Sequence, residues 1–224
     1  MPTPIDPKHV LVIGAGPGLG SAVARRFARE GFTVTVVGRR QEALDDLAAQ
    51  LRDAGGTADT FVADASDPLK FKASLQQLAE RITPGVVIYN AAIVAADNIL
   101  GADLEYLMTA YNVDAFGAIS AAQVFAPAMR AAGAGTYIVS GGYAWVNPHP
   151  GYATIALGKA GVRTAVALMH PELKADGVQA VSTRISGAIT PGTALDPDAI
   201  ADTYWDLHNR PASEWTDEIV IVGE

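Results

Sequence analysis

VLVIGAGPGLGSAVARRFAREGFTVTVVG, residues 10–38, decides how the rest of the chain is read. Val10 to Ile13 is a continuous apolar run, the pattern of a parallel strand buried on both faces. Gly14, Gly16, Gly18 and Gly20 then remove side chains where the backbone must turn tightly. Ser21 to Glu30 carries Ala22, Val23, Phe27 and Ala28 at helical spacing, and Gly31 stops it. Val34 to Val37 is a second strand. A helix that starts at such a turn aims free backbone N–H groups and the positive end of its dipole above the strand ends. That place suits a diphosphate.

Composition limits the alternatives. The chain has 224 residues, half of them hydrophobic, which suits a single domain over residues 1–224 built on one large sheet. Twenty-four acidic against 16 basic residues give a net charge of −8, which argues against a nucleic-acid surface. There is no cysteine, hence no disulfide and no thiolate chemistry. The first ten residues lack a signal-peptide pattern, and the uncharged stretch 131–158 is broken by Pro148, Pro150 and several glycines. A cytoplasmic chain with no membrane partner is expected. His9, His149, His170 and His208 show no metal-ligand spacing, so no metal site is expected, although His149 lies in a loop that could approach a substrate.

Outward from the opening stretch, strand and helix signals alternate. Helices are predicted over Gln41–Ala54, from Asp67-Pro68 to about Arg81, over about Asp103–Arg130 and Gly151–Lys174, and from Asp196-Pro197 to His208. Strands are predicted over Thr60–Ala63, Val86–Tyr89, Thr136–Ser140, Val178–Ile185 and Glu218–Val222. The alternation implies an α/β fold, a Rossmann-type doubly wound parallel sheet with helices on both faces and ligands at the carboxyl ends of its strands. Tyr204, Trp205 and Trp215 in the tail could cover a substrate or pack on the core.

Gly14, Gly18 and Gly20 fit the spacing G-x-x-x-G-x-G, with Ala15, Gly16, Pro17 and Leu19 between them. That spacing resembles the short-chain dehydrogenase/reductase family, and the resemblance extends over almost the whole chain. The opening VIGAGPG also looks like many flavin-binding starts, which usually belong to much longer chains. A glycine turn that binds nothing is the third reading. Within the family resemblance, Asp64 matches an aspartate that contacts adenine, with Ala65 beside it. Tyr89-Asn90-Ala91-Ala92 matches Asn-Asn-Ala-Gly. Ser186-Gly187-Ala188-Ile189-Thr190 is similar to Pro-Gly-x-x-Thr, whose threonine usually holds the nicotinamide end. The resemblance thus implies a nicotinamide dinucleotide held by Gly14, Gly16, Pro17, Gly18, Leu19, Gly20, Asp64, Ala65, Asn90, Ala91, Ala92, Gly187, Ile189 and Thr190.

An acid at the end of the second strand would bind the ribose hydroxyls and repel a 2′-phosphate, whereas arginine pairs with that phosphate. Gly38 stands there, followed by Arg39 and Arg40, so NADP(H) is favoured and NAD(H) remains open.

The catalytic half departs from the family, whose group is Asn, Ser, Tyr and Lys. Lys159 matches the lysine, which holds the ribose, but Ile155 occupies the tyrosine position and Gly142 the serine position. Asp114, in Val113-Asp114-Ala115-Phe116-Gly117, occupies the asparagine position. Isoleucine transfers no proton. Tyr152, three residues before Ile155 on a continuous helix, is the first candidate donor, Tyr143 the second, and Ser140 could supply a hydroxyl. An oxidoreductase for a small carbonyl or alcohol with a non-standard proton donor is one reading. A catalytically inactive dinucleotide-binding protein, acting as sensor or partner subunit, is the other. Residues 191–211 are expected to form a substrate lid. The apolar stretches Ala115–Met129 and Ala160–Met169 suggest a homodimer or homotetramer, since these helices pair across a dyad in the family resembled.

Overall fold

The computed structural model describes residues 4–223. Seven strands form one sheet: β1 Asp6–Ile13, β2 Thr33–Gly38, β3 Thr57–Val62, β4 Pro84–Tyr89, β5 Gly135–Ser140, β6 Val178–Ser186 and β7 Glu218–Val222. Their order is β3-β2-β1-β4-β5-β6-β7, and every neighbouring pair is parallel. The doubly wound α/β fold expected from the alternation is therefore the observed one. The chain reverses its direction of winding between β1 and β4, which opens a crevice at their carboxyl ends. Register aligns Ile13 with Val37 and with Tyr89, and Tyr89 with Val139. Gly14, Asn90 and Ser140 consequently emerge side by side.

Alternation along the buried strands sends side chains to two cores. Val10 and Val12 pack with α1 Leu19–Arg29, α2 Gln41–Asp53 and α7 Pro197–His208, whereas Leu11 and Ile13 pack with α3 Pro68–Ala79, α5 Gly117–Ala132 and α6 Ala153–Ala175. Tyr204 and Trp205 pack on the core, as the packing reading has it, and the Trp215 indole N–H donates to the Arg210 carbonyl at 2.8 Å. Tyr204 is wholly buried, and Trp205 packs edge-on against Phe27 and Phe32.

Of the boundaries that differ from the sequence reading, three bear on the site. β3 starts at Thr57, because it pairs with β2 from Thr33 onward although its outward positions are polar. The helical region predicted over Asp103–Arg130 is α4 Leu104–Tyr111, a π-turn over Asn112–Phe116, and then α5. Tyr89 in β4 donates from its phenol to the carbonyl of Val113, and Tyr137 in β5 donates to that of Ala118 at 2.5 Å. Gly117 makes room, since a Cβ there would stand 2.0 Å from the Tyr89 hydroxyl. Finally, α6 begins at Ala153 rather than Gly151. Among the described residues no helix is long and apolar enough to cross a membrane, and no group of three or more His, Asp or Glu could hold a metal ion.

Candidate active site

A cavity of about 820 Å³ lies over the carboxyl ends of β1, β2, β4, β5 and β6. At its floor Gly14 has φ +85°, and a Cβ there would come within 2.3 Å of the Ala91 nitrogen. Only glycine lets the two loops approach so closely. A Cβ on Gly16 would instead meet nothing within 4 Å, leaving open space beside the amino end of α1. That end carries the half-positive dipole and no acidic side chain in its first turn. An anionic diphosphate fits this environment.

Gly14, Gly16 and Leu19 line the cavity, as do Arg39, Arg40, Asp64, Ala65, Asn90, Ala91 and Ala92, Lys159, and Gly187 and Ile189. Pro17, Gly18 and Gly20 shape the turn from outside the wall. Thr190 is exposed and off the wall, its backbone held to Leu195. Both arginines are exposed, and among the described residues neither forms an ion pair. Asp64 is partly engaged, accepting from the Ser66 N–H at 2.9 Å.

The catalytic end gathers Gly142, Tyr143, Ile155 and Lys159 on one wall. Lys159 is 6% exposed, and its Nζ donates to the Ser140 carbonyl at 2.6 Å. Burial lowers its pKa, and the neighbouring Asp114 carboxylate partly restores it. Asp114 lies behind the wall, fully buried at the π-turn. Burial pushes its carboxyl up to about 6, against the pull of Lys159 and of the Ile93 N–H that donates to Oδ1 at 2.6 Å. Its Oδ2 has no hydrogen-bond partner. No ion pair joins the two residues.

The helical premise for Tyr152 is corrected. Tyr152 is the N-cap of α6 with φ −143° and ψ 51°, so helical spacing does not reach it. Its ring leans on His149 and is 44% exposed, outside the cavity wall. His149 is itself occupied, accepting from the Gly151 N–H at 3.0 Å. Ser140 lines the cavity, and its hydroxyl donates to Asn90 Oδ1 at 2.8 Å. Tyr143, on a single 3-10 turn after β5, is the phenol on the wall.

Sequence reasoning missed Asp97 and the buried hydrogen bonds of Tyr204. Asp97 accepts from the Thr154 N–H and hydroxyl and from the Tyr106 hydroxyl, capping α6 from across the chain. An unassigned acid in the loop after β4 was the only signal. Tyr204 bonds Ser140 and Thr183 at 2.8 Å each.

Residues 8–197 match the family model described as short chain dehydrogenase. The chain belongs to the short-chain dehydrogenase family. A probable oxidoreductase, EphD, of Mycobacterium tuberculosis is 29% identical over 199 residues, covering 87% of this chain but 32% of that protein. A very-long-chain 3-oxoacyl-CoA reductase of Neurospora crassa is 30% identical over 173 residues, 75% of this chain and 52% of that protein. The chain thus spans a third to a half of the length of these relatives. A short-chain dehydrogenase structure from Rhodopseudomonas palustris superposes with a TM-score of 0.85 at 29% identity, over 96% of this chain and 98% of that one. Two further structural neighbours carry nucleotides. One is a metagenomic oxidoreductase in complex with NADP, with TM-score 0.83 and 22% identity over 98% and 99% of the chains. The other is a Brucella melitensis 3-oxoacyl-[acyl-carrier protein] reductase with bound NAD, with TM-score 0.86 and 19% identity over 97% and 92%.

Proposed function

We propose that this member of the short-chain dehydrogenase family is an NADP(H)-dependent oxidoreductase acting on a small carbonyl or alcohol through a non-standard proton donor. The observation that carries the reading is the convergence, on one cavity, of the glycine turn, two unpaired arginines and Lys159. The turn and the amino end of α1 would hold the diphosphate, Arg39 and Arg40 the 2′-phosphate, and Asp64 and Ala65 the adenine side. Asn90, Ala91, Ala92 and Lys159 would flank the ribose, and Gly187, Ile189 and Thr190 the far end. When bound, the nicotinamide supplies or accepts a hydride. The protein's part is to orient the substrate oxygen and exchange a proton with it, and Tyr143 is the phenol on the wall for that step. A titration with NADPH and NADH, followed by nicotinamide fluorescence, tests the reading, and binding of neither removes it.

One observation favours the second reading, an inactive dinucleotide-binding protein. The wall positions that carry tyrosine and serine in the family resembled are the apolar Ile155 and the side-chain-free Gly142. A protein that binds NADPH but turns over no carbonyl or alcohol, with Tyr143→Phe leaving that null result unchanged, would be of this kind.

A homodimer or homotetramer belongs to the same proposal, and so do a single domain over 1–224 and a lid over 191–211. Exposed Met108, Phe116, Leu157 and Leu168 on α4, the π-turn and α6 support the oligomer. A monomeric mass in light scattering at micromolar concentration would refute it.

A further inference from the structure

A buried polar chain runs beneath the cavity, and its direction is fixed by proton counting. Asn90 Nδ2 donates to the Gly14 carbonyl at 3.0 Å, so Oδ1 faces Ser140 and must accept from it, at 2.8 Å. Ser140 has one hydroxyl proton, so the Tyr204 hydroxyl, 2.8 Å away, must donate to Ser140 Oγ. Tyr204 has then spent its proton, so the Thr183 hydroxyl, also at 2.8 Å, must donate to Tyr204 rather than to the Val139 carbonyl at 3.5 Å. The sequence of donors is Thr183, Tyr204, Ser140, Asn90, ending on the carbonyl of the first glycine of the turn. Tyr204, Thr183 and Ser140 are almost wholly buried, away from bulk solvent. The phenol is held neutral, its pKa pushed by burial to about 12, as a donor in mid-chain requires.

Ser140 is the branch point. Its side chain sets Asn90, and its carbonyl accepts from Lys159 Nζ at 2.6 Å. We infer that Tyr204 is a positioning residue, which from α7 fixes Asn90 and Lys159 on the cavity wall by holding Ser140. It does not line the cavity itself. Without its hydroxyl, Ser140 Oγ loses its donor and Thr183 turns to Val139, so Asn90 is free to swing from the Gly14 carbonyl. Helix α7 lies within the segment proposed as a lid, so this contact also ties that segment to the floor of the site. The inference rests on the proposed dinucleotide site for its effect on binding, but not for the network itself.

The test uses the whole chain and the variants Tyr204→Phe, Ser140→Ala and their double. In the unliganded protein, Tyr204→Phe is expected to shift the side-chain amide NMR signals of Asn90, a change that lost packing around α7 alone would not produce. NADPH affinity should weaken about three- to tenfold, the size of one hydrogen bond transmitted to the site. The double variant should bind no more weakly than Ser140→Ala, because both interrupt one chain. Unmoved Asn90 signals, or losses that multiply in the double variant, would overturn the inference. If the wild type binds no dinucleotide, the proposed function falls and the Asn90 signals alone decide this point. Should Tyr204→Phe fail to fold, Thr183→Val removes the first donor while keeping the ring, with the same readouts expected.

Discussion

Asp114 and Gly158 lie so close that a Cβ on Gly158 would stand 2.3 Å from the Asp114 Cβ and 2.5 Å from its Oδ2. The contact seats the π-turn against α6 one residue before Lys159, so the carboxyl reaches the lysine's surroundings through a gap that only glycine provides. Gly158→Ala would add about 1 kcal/mol of helix propensity. Overpacking should outweigh this, giving a net loss of about 1–3 kcal/mol and a lower Tm. Because the nearest atom is the Asp114 Cβ, Asp114→Ala should not rescue the variant. Thermal melts of the single and double variants decide between this and a gap that simply relaxes.

The same carboxyl should give the protein a pH-dependent stability. Held up at about 6 against 3.8 for the free side chain, Asp114 keeps its proton in the native state where the unfolded chain has released it. Stability therefore falls as pH rises from about 4 to about 6, by something on the order of 2–3 kcal/mol at full shift. The charged neighbours are Lys159, which pulls the Asp114 pKa down, and Asp97, which raises it. Asp114→Asn should abolish the slope over this window while leaving the melting curve cooperative. Parallel slopes for wild type and variant would show that the carboxyl ionises normally.

Much of this site was legible in the chain itself, for physical reasons that also mark where legibility stopped. The run Val10–Ile13 and the glycines after it are local signals, because strand burial and turn geometry are decided within a few residues. The π-turn at Asp114 is not local. It is set by phenols of Tyr89 and Tyr137 that arrive from two other strands, and nothing within 103–130 encodes them. Tyr152 failed for a related reason. Seven-residue spacing places it near Lys159 only if the helix includes it, and Asp97, a cap supplied from 57 residues away, starts the helix beyond it.

Arg39 and Arg40 border the cavity and, among the described residues, have no acidic partner, so their charge is available to a ligand. An arginine–phosphate bond contributes about 1.5–3 kcal/mol. Arg39→Ala should weaken NADPH binding about 10- to 100-fold and change NADH binding little. Equal losses for the two nucleotides would assign Arg39 to the shared part of the molecule, and no loss would leave it a solvated residue at the start of α2.

The catalytic wall offers a gain-of-function test. A Cβ on Gly142 would meet Lys159 Cγ at 3.6 Å, an ordinary contact, so serine fits there without displacing the lysine. Ile155, 8% exposed, already faces the cavity one helical turn before Lys159, so tyrosine at that place would extend its hydroxyl into open space. Ile155→Tyr with Gly142→Ser therefore restores a phenol and a hydroxyl next to a lysine whose position is already fixed by Ser140. With a small carbonyl and NADPH, the double variant carrying Tyr143→Phe should reduce substrate about 10²- to 10⁴-fold faster than Tyr143→Phe alone, the span of general acid assistance. Tyr143→Phe should then cost the wild type its residual rate and the double variant little, since the proton would come from the new phenol. A double variant that binds NADPH as tightly as wild type yet gains no rate would show that the substrate end of the cavity, and not only its proton donor, has departed from carbonyl chemistry.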